Sequence, residues 1–187
     1  MHVKELGAAS VKIFSLKAQD LPGLADFFSA LAANVEVTTH TLLKSQLRGY
    51  SFGLPADLVV LHHRAEGRLF LTDRNGFYND FLASAYRAVK GRVVVLLTHV
   101  PHDPPEGALV SSEVYELAKN GDQPTIGTLG QLGKVVCFAK EPSEYQRNYL
   151  ASVLERSAYY REPPVYAGLP ASYAAAASAP GFKCDLL

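Results

Sequence analysis

Apolar and polar positions alternate along the chain in blocks that read as strands and helices in turn. Val11 to Leu16 (VKIFSL) is a short apolar run and predicts the first strand. After Leu21-Pro22-Gly23, the residues Leu24, Phe27, Phe28 and Leu31 recur at helical spacing, with Asp20 as N-cap and Pro22 near the first turn. Asn34 ends that helix. Val35 to Leu43 (VEVTTHTLL) begins with period-two alternation and β-branched residues, which predicts a strand. Gln46 to Pro55 contains Gly49 and Gly53 and reads as a loop.

Asp57 to His63 (DLVVLHH) is continuously apolar until it meets two histidines, the pattern of a strand buried on both faces. The stretch from Gly67 to Gly76 is open between a short strand and a loop. Phe77, Phe81, Leu82, Ala85, Tyr86 and Val89 mark an amphipathic helix stopped by Gly91, and Arg92 to Thr98 (RVVVLLT) is the strongest strand pattern in the chain. His99 to Gly107 holds three prolines and predicts a loop. Ser112 to Lys119 predicts a short helix and Val135 to Ala139 the last strand. Ser143 to Tyr160 predicts the last helix, capped by Ser143, with Tyr145, Tyr149, Leu150, Val153 and Leu154 on one face.

Strand-helix alternation of this kind predicts an α/β fold: a three-layer, Rossmann-like domain whose mostly parallel central sheet is flanked by helices. The domain is expected over residues 1–160. Residues 161–187 change character, with prolines, an alanine run and little periodicity, and are expected to form a Pro/Tyr/Ala-rich tail. At 187 residues the chain suits one domain plus such a tail.

Composition narrows the function classes. Hydrophobic residues make up 48% and charged residues 19%, with eighteen basic residues balancing eighteen acidic ones. Without a long run of either sign, a nucleic-acid partner or a polybasic membrane contact is not expected. The two cysteines, Cys137 and Cys184, have no zinc-ribbon or redox-pair spacing, so a reducing, cytoplasmic setting is expected. Cys137 lies inside a predicted strand, where it reads as a small buried hydrophobe. No stretch suits a signal peptide or a transmembrane helix.

Two short stretches carry a family resemblance. Thr98-His99-Val100-Pro101-His102-Asp103 follows the VVVLLT run, and Phe138-Ala139-Lys140-Glu141 leads into the last helix. Together with the element order over residues 11–160, they make the chain resemble the Ras-superfamily GTPases, which place a guanine-reading Asn-Lys-x-Asp and a Ser-Ala-Lys at those points. That family also has a phosphate-binding loop after its first strand and a pair of strands after its first helix. Here the loop position reads Lys17-Ala18-Gln19-Asp20-Leu21-Pro22-Gly23, with no glycine pair and no Lys-Ser/Thr to wrap a phosphate. The resemblance therefore implies a degenerate, small-GTPase-like domain that binds no nucleotide cofactor and serves as a scaffold. A generic flavodoxin-like or receptor-type α/β domain is the alternative. The final Cys184-Asp185-Leu186-Leu187 fits a C-a-a-X prenylation motif, so membrane contact is expected only if Cys184 is lipidated; Asp185 in an aliphatic position counts against it.

A second constellation carries chemistry of its own. His62 and His63 end one predicted strand, while His99, His102 and Asp103 follow the end of the next. Ligands of doubly wound sheets bind beyond the carboxyl ends of the strands. Imidazoles and a carboxylate there would suit zinc or a related metal, and with it a metal-dependent hydrolase. Against this, adjacent strand residues point to opposite faces, so His62 and His63 are not expected to share one site without distortion. The leading expectation is a non-catalytic protein-interaction module with a protein partner. Its candidate contact is the segment Ser157 to Tyr173, through Tyr159, Tyr160, Pro163, Pro164, Tyr166 and Tyr173.

Overall fold

The computed structural model describes residues 8–53, 56–65, 78–119 and 124–159. Five strands form one sheet: β1 (Ala9–Ser15), β2 (Val35–Thr41), β3 (Leu58–Arg64), β4 (Val93–Thr98) and β5 (Val135–Phe138). The helices are α1 (Leu21–Leu31), α2 (Asn79–Ala88), α3 (Ser112–Lys119), α4 (Pro124–Gln131) and α5 (Glu144–Tyr159). The strand order is β2-β1-β3-β4-β5, and every pairing is parallel. Parallel strands need crossovers, and crossovers place helices on the faces, which yields the expected three-layer α/β fold.

The strand order corrects the Ras-superfamily resemblance. A pair of strands after the first helix would put β2 beside β3, whereas here they lie on opposite sides of β1. The order 2-1-3-4-5 is that of the flavodoxin-like doubly wound fold. Element succession along a chain does not encode spatial order, so the likeness in sequence could not have revealed the difference.

Side-chain alternation sorts the strands into two half-cores. On one face Val11, Ile13, Val60, Leu96 and Val136 pack with Leu24 and Phe28 of α1 and Leu150 and Leu154 of α5. On the other, Leu61, Val95, Leu97 and Cys137 pack with Phe81 of α2, Val114 of α3, and Ile126 and Leu129 of α4. All six residues of β4 are buried, as are six of the seven in β3. Cys137 is fully buried, and burial pushes its thiol pKa up, in keeping with a core side chain.

The crossover from β2 to β3 departs from regular alternation. Among its described residues there is no α-helix, only a 3-10 turn at Lys44–Gln46. Aromatic side chains cover the sheet instead. Phe14 packs edge-on to Tyr50, Phe52 and Phe81 with centroids 5.3–5.6 Å apart, and stacks on His40 at 4.9 Å. Buried Leu42 and Leu47 anchor the two ends of this cover.

Three local expectations change. Asp20 precedes α1, but its side chain makes no cap hydrogen bond; it pairs with Arg64 instead. Tyr145 is 48% exposed, whereas Gln146, the polar residue after it, is 1% exposed. The reason is a capping box: Ser143 Oγ accepts from Gln146 N at 3.3 Å, and Gln146 Oε1 accepts from Ser143 N at 2.9 Å. The Gln146 amide then donates to the carbonyls of Cys137 and Leu109, tying α5 to the end of β5. Helix α4 has no counterpart among the expected elements, because PTIGTLGQ carries a proline and two glycines and little amphipathic signal. The ambiguous stretch from Gly67 to Gly76, and residues 161–187 with Cys184, lie outside the described residues.

Phe14 is 1% exposed at the centre of the aromatic cover. Phe14→Ala should cost about 3–5 kcal/mol of unfolding free energy. Tyr145→Ala should stay within about 0.5 kcal/mol. Urea unfolding of the two variants checks both, and equal losses would contradict the assigned faces.

Candidate functional site

The topological switch point lies between β1 and β3, whose crossovers depart in opposite directions, and ligands of this fold class bind outside the strand ends there. The side chains at that edge are Ser15 from β1, His62, His63 and Arg64 from β3, and Thr98 from β4. Parity decides their faces. Ser15 follows Val11 and Ile13, His62 follows Leu58 and Val60, and Thr98 follows Val94 and Leu96, so all three fall on the α1/α5 side.

They form a hydrogen-bonded row across the sheet. Ser15 Oγ lies 3.1 Å from His62 Nδ1, and His62 Nε2 lies 2.9 Å from Thr98 Oγ1. The Lys17 amide donates to Ser15 Oγ at 3.0 Å, and Thr98 Oγ1 lies 3.1 Å from His99 Nδ1. One assignment of protons serves every member: Ser15 donates to Nδ1, Nε2–H donates to Thr98, and Thr98 donates to His99. Ser15 and His62 are each 1% exposed and Thr98 6%. Burial pushes the His62 pKa down to about 4, so the imidazole is neutral at physiological pH. Such a ring is held by both nitrogens and withdrawn from solvent.

The other predicted ligands are dispersed. His63 turns to the opposite face, where its Nδ1 lies 2.8 Å from the Tyr78 hydroxyl. Tyr78 is itself buried, which raises its pKa. His99 is exposed, with a left-handed φ of 60° on the turn leaving β4. His102 Nδ1 lies 2.6 Å from Glu113 Oε1 on α3. Asp103 accepts the Ala139 amide at 2.6 Å and thereby joins the loop after β4 to the end of β5. His62 and His99 thus meet only through Thr98, while His63, His102 and Asp103 serve other contacts. Among the described residues no group of three or more His, Cys, Asp or Glu side chains is arranged to hold a metal ion.

Arg64 and Asp20 complete the edge. The guanidinium lies 2.9 Å from the carboxylate, with the two side chains 27% and 14% exposed. Asp20 therefore stands where a phosphate-binding loop would present amides, and its charge is committed to Arg64. The sequence singled out His62 but not Ser15 or Thr98. Their signal was present only as polar residues closing two apolar runs. At the far end of α5, Tyr159 is the last described residue, and Tyr160, Pro163, Pro164, Tyr166 and Tyr173 lie outside the described residues. No described helix is long and apolar enough to cross a membrane.

No protein-family model and no curated protein matches the sequence. Three solved structures resemble the fold. A candidate pilus assembly protein (cpaE) from Burkholderia thailandensis E264 has 16% identity and a TM-score of 0.45, over 81% of this chain and 98% of its own. A candidate pilus assembly-related protein from Burkholderia pseudomallei K96243 has 16% identity and a TM-score of 0.47, over 88% of this chain and 100% of its own. Oxidised Flavodoxin 1 from Bacillus cereus has 13% identity and a TM-score of 0.35, over 83% of this chain and 100% of its own. None of the three is a Ras-superfamily GTPase.

The buried imidazole makes stability depend on pH. The folded chain protonates His62 near pH 4, whereas an unperturbed imidazole protonates near 6.5. Between those values the unfolded chain binds more protons, so stability present above the unfolded value is lost as pH falls toward the folded one. Unfolding free energy should drop by about 2 kcal/mol from about pH 7 to about pH 5 on account of this residue. Urea titrations of the wild-type chain and of His62→Gln check it: the variant should show the shallower pH slope, and equal slopes would refute the assignment.

Proposed function

We propose that the chain is a non-catalytic protein-interaction module built on a flavodoxin-like α/β fold. One observation carries this reading. The strand-end edge, where the fold would otherwise hold a ligand, is occupied by the protein's own side chains, with Ser15, His62 and Thr98 bonded to one another out of water. A hydroxyl and an imidazole committed in this way stabilise the junction of β1, β3 and β4 rather than attack a substrate. The Arg64–Asp20 pair beside them neutralises the charged groups nearest the switch point.

The partner is a protein. Its contact is the Tyr- and Pro-rich stretch that continues from α5, through Tyr159, Tyr160, Pro163, Pro164, Tyr166 and Tyr173. Tyrosines supply interface area at low entropic cost, and prolines restrict the chain before it binds. Native mass spectrometry of the protein purified from its own cells tests the reading. A stoichiometric second polypeptide is expected, and it should be lost when Tyr160, Tyr166 and Tyr173 are changed to alanine while the melting temperature is retained. A stoichiometric metal or nucleotide in its place would overturn the reading.

A further inference from the structure

The opposite edge of the sheet has a different character. A cleft of 320 Å³ opens below the amino ends of β3 and β4, between the turn after α2, the approach to β5, and α5. Four of its lining residues are cationic: Lys90 and Arg92 before β4, Lys134 before β5, and Arg156 on α5. Among the described residues no aspartate or glutamate lines it. Between the cations the walls are apolar or aromatic, with Tyr86, Val94, Leu132, Tyr149 and Val153 prominent. The size falls within the range of small-molecule sites, and the mixture of apolar wall and few charged groups is their usual lining.

The cleft is held by specific contacts. Gly91 turns the chain at a φ of 84°, and a Cβ there would lie 3.1 Å from the Tyr86 ring. A side chain there would be strained by the positive φ and would crowd the ring, which favours glycine. Lys134 Nζ donates to the Gly91 carbonyl at 2.5 Å and lies 6.0 Å from the centroid of Tyr86. The Tyr149 hydroxyl donates to the Gly133 carbonyl, fixing α5 against the turn before β5. Arg156 donates to the Ser152 carbonyl at 3.1 Å and to the Ser152 hydroxyl at 3.2 Å, which holds the guanidinium over α5 with its remaining N–H groups unused by these two bonds.

Among the described residues no carboxylate pairs with Lys90, Lys134 or Arg156. Burial, with the nearby Arg156 charge, pushes the Lys134 ammonium pKa down. An ammonium in that position loses hydration and gains only a neutral acceptor, so an anion brought beside it would be favoured. In a chain of zero net charge, Lys90, Lys134 and Arg156, with no carboxylate among the described lining residues, form a local positive field that the totals conceal.

We propose that this cleft binds a small phosphomonoester with an apolar or aromatic body, the phosphate meeting Lys134 and Arg156 and the body lying against Tyr86, Leu132 and Val153. A phosphate dianion suits several separated donors better than a single carboxylate does, because each of its three terminal oxygens can accept from a different cation. The site is distinct from the strand-end edge, and the residues it uses are not the tyrosines and prolines of the proposed partner contact, so the two are tested by different substitutions.

Phenyl phosphate is the probe, titrated into the full-length protein and followed by backbone amide shifts. Saturable shifts are expected at Gly91, Val93, Lys134 and Ser157, with binding weakened by added salt. Phenol should bind about tenfold or more weakly, since a charge-assisted hydrogen bond contributes that much. Arg156→Gln, at an exposed position, should weaken phenyl phosphate by a similar factor without altering the melting temperature. Lys134→Met should abolish saturation, and Lys90→Gln guards against loss of fold by giving a weaker but measurable defect. No saturable shift at millimolar phenyl phosphate, equal binding of phenol, or equal binding by Arg156→Gln would each overturn the proposal.

Discussion

The burial of β3 and β4 on both faces is the constraint from which the rest of the structure follows. Neither strand exposes a side, and Val59, Val60, Leu61, Val94, Val95 and Leu96 are all at or below 1% exposure. Removing both faces from water at once requires a layer of structure on each, and each buried aliphatic side chain contributes about 1.5–3 kcal/mol toward it. A hairpin would leave one face bare. Crossovers that carry α1 and α5 to one side and α2 and α4 to the other meet the requirement, and parallel pairing comes with them. The strand order then sets β1 and β3 as the place where the winding changes direction.

Period-two alternation converts that architecture into chemistry. Because neighbouring residues on a strand face opposite half-cores, the two histidines that close β3 meet different surroundings. His62 enters the α1/α5 layer between two hydroxyls, and His63 enters the α2 layer against a buried tyrosine. Each would be costly in an apolar layer without a partner, and each has one. The neutral form is the one the layer can hold, and the depressed pKa of His62 expresses the same balance between hydration and burial. Both histidines at this strand end are thus partnered within the fold.

Much of the fold was legible in the sequence. The apolar runs of β1, β3, β4 and β5 and the amphipathic faces of α1 and α2 are local signals, and they survive folding because burial is what they encode. Strand order is not local, which is why an element succession resembling one fold family produced another. Helix α4 was hidden by its glycines and proline, since its stability comes from packing Ile126 and Leu129 onto the sheet rather than from propensity. Gln146 was hidden by its polarity, although a serine three residues before a glutamine is the capping-box signature, and here the same glutamine also reaches two carbonyls. At the carboxyl edge the histidines drew notice by type. Ser15 and Thr98, which decide what His62 can do, are ordinary residues until register brings them together.

The two ends of the sheet divide the polar chemistry unequally, and the division has a physical basis. At the carboxyl ends, hydroxyls, a neutral imidazole and a paired arginine and aspartate cancel one another within the protein. At the amino ends, Lys90 and Arg92 from the turn before β4, Lys134 before β5 and Arg156 on α5 converge, with no carboxylate among the described lining residues. No run of basic residues announces them, so a net charge of zero and an even distribution along the chain are compatible with a concentrated positive cleft. Charge balance over a sequence constrains long-range attraction to a polyanion, which needs an extended basic face. It does not constrain recognition of a small anion, which needs only a few cations converging where apolar walls keep the local dielectric low.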